Sequence, residues 1–367
     1  MKQFDYAHTA EALLTPRTIN LLTAIHEAKG RQSVQAAIHP ETLESMTAIA
    51  RIQSTSASNR IEGISTSDQR LNALVIAKTT PRNRDEEEIA GYRDVLSTIH
   101  ENHDYIPLTP NVILQLHRDL FRHTPLTFGG HFKDTSNLIV ERDAAGNSSV
   151  RFTPPNALIT PELVGQACAS YTAAIQDGRT DPLLAIALFV FDFTCIHPFN
   201  DGNGRMSRLL TLLLMYRAGY KVGKYISIER LIESSKETYY EALAASTQGW
   251  TANANDYAPF VNYLLGVILR AYKEFDERFG ILGSISSDSS TPSTIQSKPT
   301  KRAKPTKEQR IAALFDQTLS SLSKAEVLER LPDISETTVE RALRVLISSG
   351  AIIKIGAGRS TRYIRQR

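Results

Sequence analysis

Apolar residues recur at helical spacing through most of the first 280 positions of the chain. Intervals of three and four residues place them along one face of a helix, which is then buried against a core. Several of these stretches have a proline at or near their start, where helices accept it best. The pattern predicts helices over residues 16–29, 40–59, 85–102, 109–121, 161–177, 182–196, 204–218, 228–246 and 255–279. The body of the protein is therefore expected to be mainly α.

One segment interrupts the helical pattern. Residues 130–154 contain two short β-prone runs, 138–140 and 150–152, on either side of the polar sequence DAAGNSS. Two such runs around a polar turn rich in Gly, Asn and Ser predict a β-hairpin. The hairpin would be an isolated feature in a helical body.

The composition changes abruptly near residue 283. Residues 283–305 are rich in Ser, Thr and Pro and contain almost nothing large and apolar, so they predict a flexible linker. Beyond it, helical patterns at 307–317, 324–331 and 336–349 precede two β-prone runs, 351–355 and 361–364, around a GAGRS turn. Three short helices and a basic hairpin predict a small winged helix-turn-helix domain over residues 306–367.

The overall composition excludes several classes of protein. Apolar residues make up 41% of the chain and charged residues 22%, which is ordinary for a globular protein. The longest apolar run, residues 183–191, is far shorter than the ~20 residues that cross a bilayer. The N-terminus has no secretory pattern, and Cys168 and Cys195 form no CxxC pair. We therefore expect a cytoplasmic protein with buried thiols and no membrane partner.

Charge is distributed unevenly between the body and the tail. Residues 301–367 hold fourteen Lys and Arg against seven Asp and Glu, a net +7 within a chain whose total is +3. The first 300 residues are therefore mildly acidic, and the tail alone favours a polyanionic partner. Basic residues of its hairpin fit DNA, but Glu336 and Glu340 on the candidate recognition helix would repel phosphates. DNA binding and protein docking by the tail both remain open.

The densest chemistry lies in residues 197–208, HPFNDGNGRMSR, between two apolar helical patterns. Such a loop should lead directly into the N-terminus of the next helix. The backbone N–H groups of Gly202, Asn203 and Gly204, together with that helix end, would form a cradle for phosphates. Arg205 and Arg208, three residues apart, can pair with further phosphate oxygens.

Two other side chains of this loop suit phosphate chemistry. Asp201 offers a carboxylate for Mg²⁺ bridging two phosphates, although an aspartate here could instead cap the helix. His197, with an ordinary pKa near 6.5, can take a proton from an attacking hydroxyl. Together these groups favour phosphoryl or nucleotidyl transfer, in which positioning and charge stabilisation supply most of the rate.

The loop resembles the HxFx(D/E)GNGRxxR signature of the Fic (Fido) family, with all eight specified identities present. The resemblance extends over roughly residues 10–280. It implies an N-terminal helical region over 1–108, a Fic-type helical bundle over 109–282, and a hairpin flap beside the active loop. By resemblance, His197 deprotonates a Tyr, Thr or Ser hydroxyl that attacks the α-phosphate of ATP, and AMP is transferred. Asp201 would hold Mg²⁺, Gly202, Asn203, Gly204 and Arg205 would bind phosphates, and Arg208 would hold the γ-phosphate.

The resemblance also assigns roles away from the loop. Tyr239 and Tyr240 would supply an aromatic ring to the adenine pocket, although both could equally be core residues. The flap strand formed by Leu138, Ile139 and Val140 would clamp a target peptide by main-chain pairing. Related kinases of the Doc type carry lysine where this chain has Gly204, so this glycine favours AMP transfer.

Upstream, the sequence SNRIEG at 58–63 resembles the family's inhibitory motif, [ST]xxxE[GN]. Ser58 and Glu62 are spaced to share one helix face, and Gly63 suits the position that ends the helix. The resemblance implies that Glu62 pairs with Arg208 and keeps the γ-phosphate away. It leaves open removal of AMP, a donor such as UTP or CDP-choline, self-modification and homodimer formation. An alternative is a DNA-binding regulator whose Fic body is a nucleotide-responsive switch.

Overall fold

The computed structural model describes residues 2–38, 40–142, 148–287, 307–317, 322–331, 334–348, 351–355 and 361–365. They fall into two compact units, of which the first ends at Gly283 and the second begins at Ser284. The regions 1–108 and 109–282, which the sequence predicts separately, lie in the same compact unit. In the described part of the chain, no helix combines the length and apolar character needed to span a bilayer.

The first unit is a helical assembly with one hairpin inserted between its sixth and seventh helices. Its helices are α1 (Tyr6–Ala12), α2 (Pro16–Ile38), α3 (Pro40–Ile61), α4 (Asp68–Val75), α5 (Arg84–Asn102), α6 (Pro110–Leu120), α7 (Thr160–Asp177), α8 (Pro182–Ile196), α9 (Asn203–Arg217), α10 (Ile228–Ser234), α11 (Lys236–Thr247) and α12 (Ala258–Ser287). The hairpin consists of β1 (Ile139–Arg142) and β2 (Ser148–Phe152). The mainly α fold is confirmed.

The structure differs from the predicted elements mainly at five places. Helix α2 continues to Ile38, nine residues past its predicted end at residue 29. Helices α1 and α4 are too short to show a periodic pattern; each is instead started by a capping side chain, Asp5 and Ser67. The predicted helix over 228–246 is divided at Ser235, whose hydroxyl donates to the Leu231 carbonyl. Helix α12 continues to Ser287, past the predicted linker start at 283, and the rest of that linker lies outside the described residues.

Helix α8 is the centre of the core. All of its residues except Pro182 and Thr194 are buried, which explains why its apolar residues occupy every face. It packs against α7 and α9, and both cysteines are buried, as predicted. Each large apolar side chain buried in this way stabilises the fold by roughly 1.5–3 kcal/mol. The C-terminal end of this well-held helix is where His197 emerges.

The hairpin is antiparallel and starts one residue later than predicted. Ile139 pairs with Phe152 and Arg142 with Ser148, with an irregularity in the register just after Ile139. Leu138 precedes the strand and is 56% exposed, so the predicted flap strand of Leu138 to Val140 is corrected to one that begins at Ile139. The predicted turn falls largely on residues 143–147, outside the described residues.

The second unit follows the element order predicted for its sequence. Its elements are α13 (Lys307–Gln317), α14 (Lys324–Arg330), α15 (Glu336–Ser348), β3 (Ile352–Ile355) and β4 (Arg362–Arg365). Leu322 forms an isolated antiparallel β-bridge to Tyr363 of β4, through two backbone hydrogen bonds of 2.7 Å. The two acids of α15, Glu336 and Glu340, are both paired with Lys324, whose Nζ lies 2.8 Å from a carboxylate oxygen of each.

Candidate active site

His197 directly follows the last residue of α8 and caps the helix, turning the chain sharply into the next loop. Its backbone is left-handed, with φ +50° and ψ +60°, while its N–H still donates to the Phe193 carbonyl at 3.0 Å. A non-glycine residue in this region costs of order 1–3 kcal/mol and persists only where its surroundings enforce it. The chain reaches the N-terminus of α9 six residues later.

The loop is closed by side chains and close packing. Asn203 accepts from the Phe199 N–H at 2.9 Å and donates to the Phe199 carbonyl at 2.8 Å. Gly202 has φ +81°, and a Cβ there would lie 2.9 Å from the Phe121 ring, so only glycine fits. The side chain of Asn203 is therefore a brace for the loop, and only its backbone N–H is left to bind an anion.

The N-terminus of α9 is suited to hold an anion. No described side chain forms a capping hydrogen bond there, so its first-turn N–H groups and the positive end of the helix dipole are left for another partner. The Gly202 N–H is different, because it already donates to Asp201 Oδ1 at 2.5 Å. The predicted cradle is thus centred on Asn203 and Gly204 rather than on all three residues.

Ser58 and Glu62 both contact Arg208. The guanidinium group donates to the Ser58 hydroxyl and carbonyl, each at 2.8 Å, and to Glu62 Oε1 at 2.7 Å. Helix α3 ends at Ile61, so Glu62 lies just beyond the helix rather than on its face, and Gly63 has the positive φ of a helix-ending glycine. The structure therefore brings the predicted inhibitory residues together with the second arginine of the loop.

The carboxylate of Glu62 lies directly over the α9 N-terminus. A Cβ added at Gly204 would be only 2.1 Å from Glu62 Oε1. Burial would raise the pKa of Glu62, but the charge and hydrogen bond of Arg208 outweigh it, so the pKa is lowered. Glu62 is therefore an anion at neutral pH, and it occupies the place where the loop would bind phosphate.

Arg205 is buried against α5, whereas Arg208 lines the cavity beside His197. Arg205 is fully buried, with Nη1 2.7 Å from Glu88 Oε2 of α5 and Nη2 3.5 Å from Asp201 Oδ1. Its guanidinium group also lies 5.2 Å from the centre of the Phe121 ring. The contact with Glu88 is an ion pair rather than an aligned hydrogen bond. Glu88 could not be singled out from the sequence, where it is one of four consecutive acids near the start of α5.

A cavity of about 190 Å³ lies beside Glu62, His197 and Gly204. Tyr239 and Tyr240 both line it, but Tyr239 is only 7% exposed and packs on neighbouring aromatic rings of the core. Tyr240 is half-buried, and the guanidinium group of Arg151, from β2, lies 4.9 Å from its ring centre.

The flap closes one side of this cavity. Ile139 and Arg151 line it, and Arg151 also hydrogen-bonds to the Tyr240 carbonyl. Leu138 lies outside the lining, and the side chain of Val140 lies outside the described residues. Of the predicted flap residues, only Ile139 is therefore placed at the cavity. The sequence did not single out Arg151, which stands in a β-prone run without a distinguishing pattern.

The environment of His197 favours its neutral form. Burial and the positive charge of Lys133 lower its pKa to about 4, and the Thr194 carbonyl and Glu62 offset only part of this effect. At pH 7 the imidazole is therefore unprotonated and able to accept a proton.

His117, which was assigned no role from the sequence, holds the loop through contacts with Asp201 and Phe199. Its Nδ1 accepts from the Gly130 N–H at 3.0 Å, so the ring proton is on Nε2, which donates to the Asp201 carbonyl at 3.0 Å. The ring stacks on Phe199 with 3.6 Å between centres. A lone histidine in a helical pattern carries no signal that would have revealed this contact.

Asp201 fits a metal that arrives with a substrate. Its side chain is 46% exposed and it stands next to the anion site, while no cluster of three or more His, Cys, Asp or Glu occurs in the part of the chain that the structure describes. Magnesium is commonly held by one or two carboxylates together with substrate phosphates and water. A single carboxylate at this position suits that arrangement.

A neutral imidazole, the N-terminus of α9 and a buried arginine thus border the same cavity. Residues 107–215 match the model of the Fic/DOC family. The matched region contains both His197 and Arg208.

The chain is also similar to curated relatives and to solved structures. The chain is 29% identical over 171 residues to protein adenylyltransferase fic-1 of Caenorhabditis elegans, and 26% identical over 175 residues to protein adenylyltransferase Fic of Culex quinquefasciatus. These matches cover 46% and 48% of this chain but only 28% and 30% of the relatives' own lengths.

A crystal structure of a Fic family protein from Desulfovibrio desulfuricans shares the fold, with 22% identity, 96% coverage of both chains and a TM-score of 0.59. A Fic domain containing signaling protein from Bacteroides thetaiotaomicron has a TM-score of 0.59 at 25% identity, over 70% of this chain and 97% of its own.

Proposed function

We propose that this protein is an autoinhibited protein adenylyltransferase. It transfers AMP from ATP to a Tyr, Thr or Ser hydroxyl of a target protein, its own chain included. The observation that carries the proposal is the Glu62 carboxylate, which pairs with Arg208 directly over Gly204 and beside His197. A site that holds its own anion in this way is built to bind a polyanion when that carboxylate moves. The curated relatives are named as protein adenylyltransferases, which supports adenylyl transfer as the reaction.

The proposed chemistry uses the groups of the loop in sequence. Neutral His197 takes the proton of the target hydroxyl as its oxygen bonds to the α-phosphorus, the bond to the bridging oxygen breaks, and pyrophosphate leaves. The imidazolium then returns its proton to solvent. General-base assistance of this kind contributes roughly 10²–10⁴-fold. The N–H groups of α9 and Arg208 bind the β- and γ-phosphates, and Asp201 would hold Mg²⁺, which neutralises phosphate charge when bound.

Inhibition follows from the position of Glu62. Its carboxylate is hydrogen-bonded to the Arg208 guanidinium group, which a γ-phosphate would need as its own partner. Its negative charge also repels a nucleotide at the α9 N-terminus. ATP could then bind only with its α-phosphate out of line with His197. The same glutamate could orient a water for AMP removal, which is the reverse activity that this site also allows.

The test is incubation of Glu62→Gly and wild-type protein with ATP labelled at the α-phosphate, Mg²⁺ and cell lysate. We expect labelled protein bands with Glu62→Gly and weak or no labelling with the wild type. Glu62→Gln is the matched variant, because it keeps the volume of the side chain and removes its charge. Labelling that is equal in wild type and Glu62→Gly would exclude inhibition by Glu62. The mass added to a labelled peptide separates AMP from UMP or phosphocholine.

The net charge of +7 over residues 301–367 supports a second candidate, a DNA-binding regulator. Lys324 already engages the two acids of α15, which lessens their repulsion of phosphates. Titration of the full chain against genomic fragments tests this candidate, with affinity falling steeply as salt rises if phosphates are contacted. If the affinity for DNA does not change with salt, the tail does not contact DNA phosphates, and protein docking is the remaining role.

A further inference from the structure

Lys133 is a buried lysine close to the active loop. It is 3% exposed, and its ammonium group donates to the Ile196 carbonyl at 3.1 Å and to Asn137 Oδ1 at 3.0 Å. In the described part of the chain its ammonium group is therefore bound by an amide oxygen and a carbonyl oxygen and by no carboxylate. Lysine is almost never buried without a charged partner, because removing an ammonium group from water is costly. Retention of an unpaired charge at this position indicates that the charge has a use.

Lys133 and Asn137 bind backbone carbonyls of the residues just before and after His197. Lys133 Nζ binds the carbonyl immediately before His197, and the Lys133 N–H donates to the Pro198 carbonyl immediately after it, at 2.8 Å. Asn137 Nδ2 adds a 3.1 Å bond to the Phe199 carbonyl. The segment that leads into the flap therefore binds three backbone carbonyls within residues 196–199, on both sides of His197.

These contacts explain how a costly backbone conformation is maintained. His197 has φ +50°, and such a residue keeps its geometry only where the surrounding structure enforces it. The Ile196 carbonyl is also one of the unpaired carbonyls at the C-terminus of α8, where the helix dipole favours a positive charge. Lys133 satisfies this carbonyl with both a hydrogen bond and a charge.

The charge of Lys133 also acts on the imidazole. The titratable groups around the His197 cavity are Glu62 after α3, Lys133 before β1, Arg151 of β2, Cys195 of α8, Arg208 of α9, and Tyr239 and Tyr240 of α11. After burial, Lys133 is the main cause that lowers the pKa of His197, and Glu62 opposes it. Burial lowers the pKa of Lys133 itself to about 8, so it is still charged at pH 7.

We propose that Lys133 is a positioning residue for His197, holding the carbonyl before it and placing a positive charge beside its imidazole. The activity readout below rests on the proposed function, whereas the first readout does not.

The first experiment measures the pKa of His197 by NMR in protein with labelled histidine, its signal being assigned from a His197→Gln variant. In Lys133→Met the pKa should rise toward 6.5, because the nearby positive charge is gone. In Lys133→Arg, which keeps a charged donor, it should stay close to the wild-type value. An unchanged His197 pKa in folded Lys133→Met overturns the proposal. If circular dichroism shows Lys133→Met to be unfolded, Lys133→Gln, a neutral donor, provides the same comparison.

The second experiment measures AMP transfer as a function of pH in the Glu62→Gly background. We expect Lys133→Met to lower kcat by about 10- to 100-fold, with little change in the KM for ATP, because the base is misplaced. The acidic limb of kcat/KM should also move to higher pH. Asn137→Ala removes a neighbouring contact without removing the charge, so it should lower kcat and leave that limb in place. If Glu62→Gly transfers no AMP at all, the proposed function fails, while the NMR titration still decides the role of Lys133.

Discussion

The two arginines of the active loop each pair with a glutamate, but the two pairs differ in burial. Arg205 and Glu88 are both essentially inaccessible, with side chains 1% and 3% exposed. Arg208 is equally buried at 4%, but its partner Glu62 is 33% exposed and borders the cavity. A buried pair opens only at the cost of leaving a charge unpaired in a low dielectric, whereas an exposed carboxylate can move into water. The first pair therefore braces the loop, and the second is suited to act as a switch.

The largest expected effect comes from breaking the buried pair. Glu88→Ala leaves the Arg205 guanidinium group buried with only the more distant Asp201, and we expect a loss of about 3–5 kcal/mol in the free energy of unfolding. Glu62→Gly should lose no more than about 1 kcal/mol, because Ser58 still holds Arg208 and water reaches the cavity. Denaturant unfolding of both variants measures the difference. Similar losses in the two variants would contradict the contrast between brace and switch.

The same two glutamates should differ in their effect on activity. Removing Glu62 frees Arg208 for a γ-phosphate, and we expect AMP transfer to rise about 5- to 150-fold, the usual range for such couplings. Glu88→Gln, which is the milder change at the buried pair, should give no increase. Initial rates with α-labelled ATP make the comparison. An equal rise with Glu88→Gln would show that both pairs restrain the enzyme.

The pH dependence of the freed enzyme tests the state of His197. A base works in its neutral form, so activity is present above its pKa and is lost as pH falls through it. With a pKa of about 4, lowered further once Glu62 is replaced, kcat/KM of Glu62→Gly should be flat from about pH 5.5 to 8. A half-maximal rate near pH 6.5 would mean that burial and Lys133 do not act on the imidazole as described.

The smallest effect is expected at Gly63, just after the end of α3 and next to Glu62. Gly63 has φ +82° with open space where a Cβ would be, so Gly63→Ala should cost only the backbone strain, about 1–2 kcal/mol. Because this strain falls next to Glu62, AMP transfer should rise, but less than in Glu62→Gly. A thermal melt and a rate measurement on the same sample check both parts. A rise that exceeds that of Glu62→Gly would place the control of the switch at Gly63 instead.

Local rules predicted most of the fold. The helical spacing located the long helices, and α8 has the predicted bounds because a proline starts it and the left-handed His197 ends it. The short helices α1 and α4 were not predicted, because each is marked by a single capping contact rather than by a periodic apolar pattern. The break at Ser235 also escaped, since a hydroxyl that competes for a backbone carbonyl leaves no mark on apolar spacing.

The candidate site was predicted less evenly. Residues in the loop and the inhibitory motif were found because their fixed spacing is visible along the chain. Glu88, His117, Lys133 and Arg151 were missed because each approaches the loop from a distant segment, and a single polar residue in a helix or strand has no pattern of its own. Arg205 was expected to bind phosphates, but its side chain is buried and paired with Glu88. Tertiary contacts, which spacing does not encode, decided these cases.

The most direct measurement compares ATP labelled at the α-phosphate with ATP labelled at the γ-phosphate, using Glu62→Gly protein and cell lysate. Adenylyl transfer restrained by Glu62 predicts that protein is labelled from the α-position only, and that the labelling disappears in the Glu62→Gly, His197→Ala double variant. Label arriving from the γ-position, or α-label that persists without His197, would contradict the account.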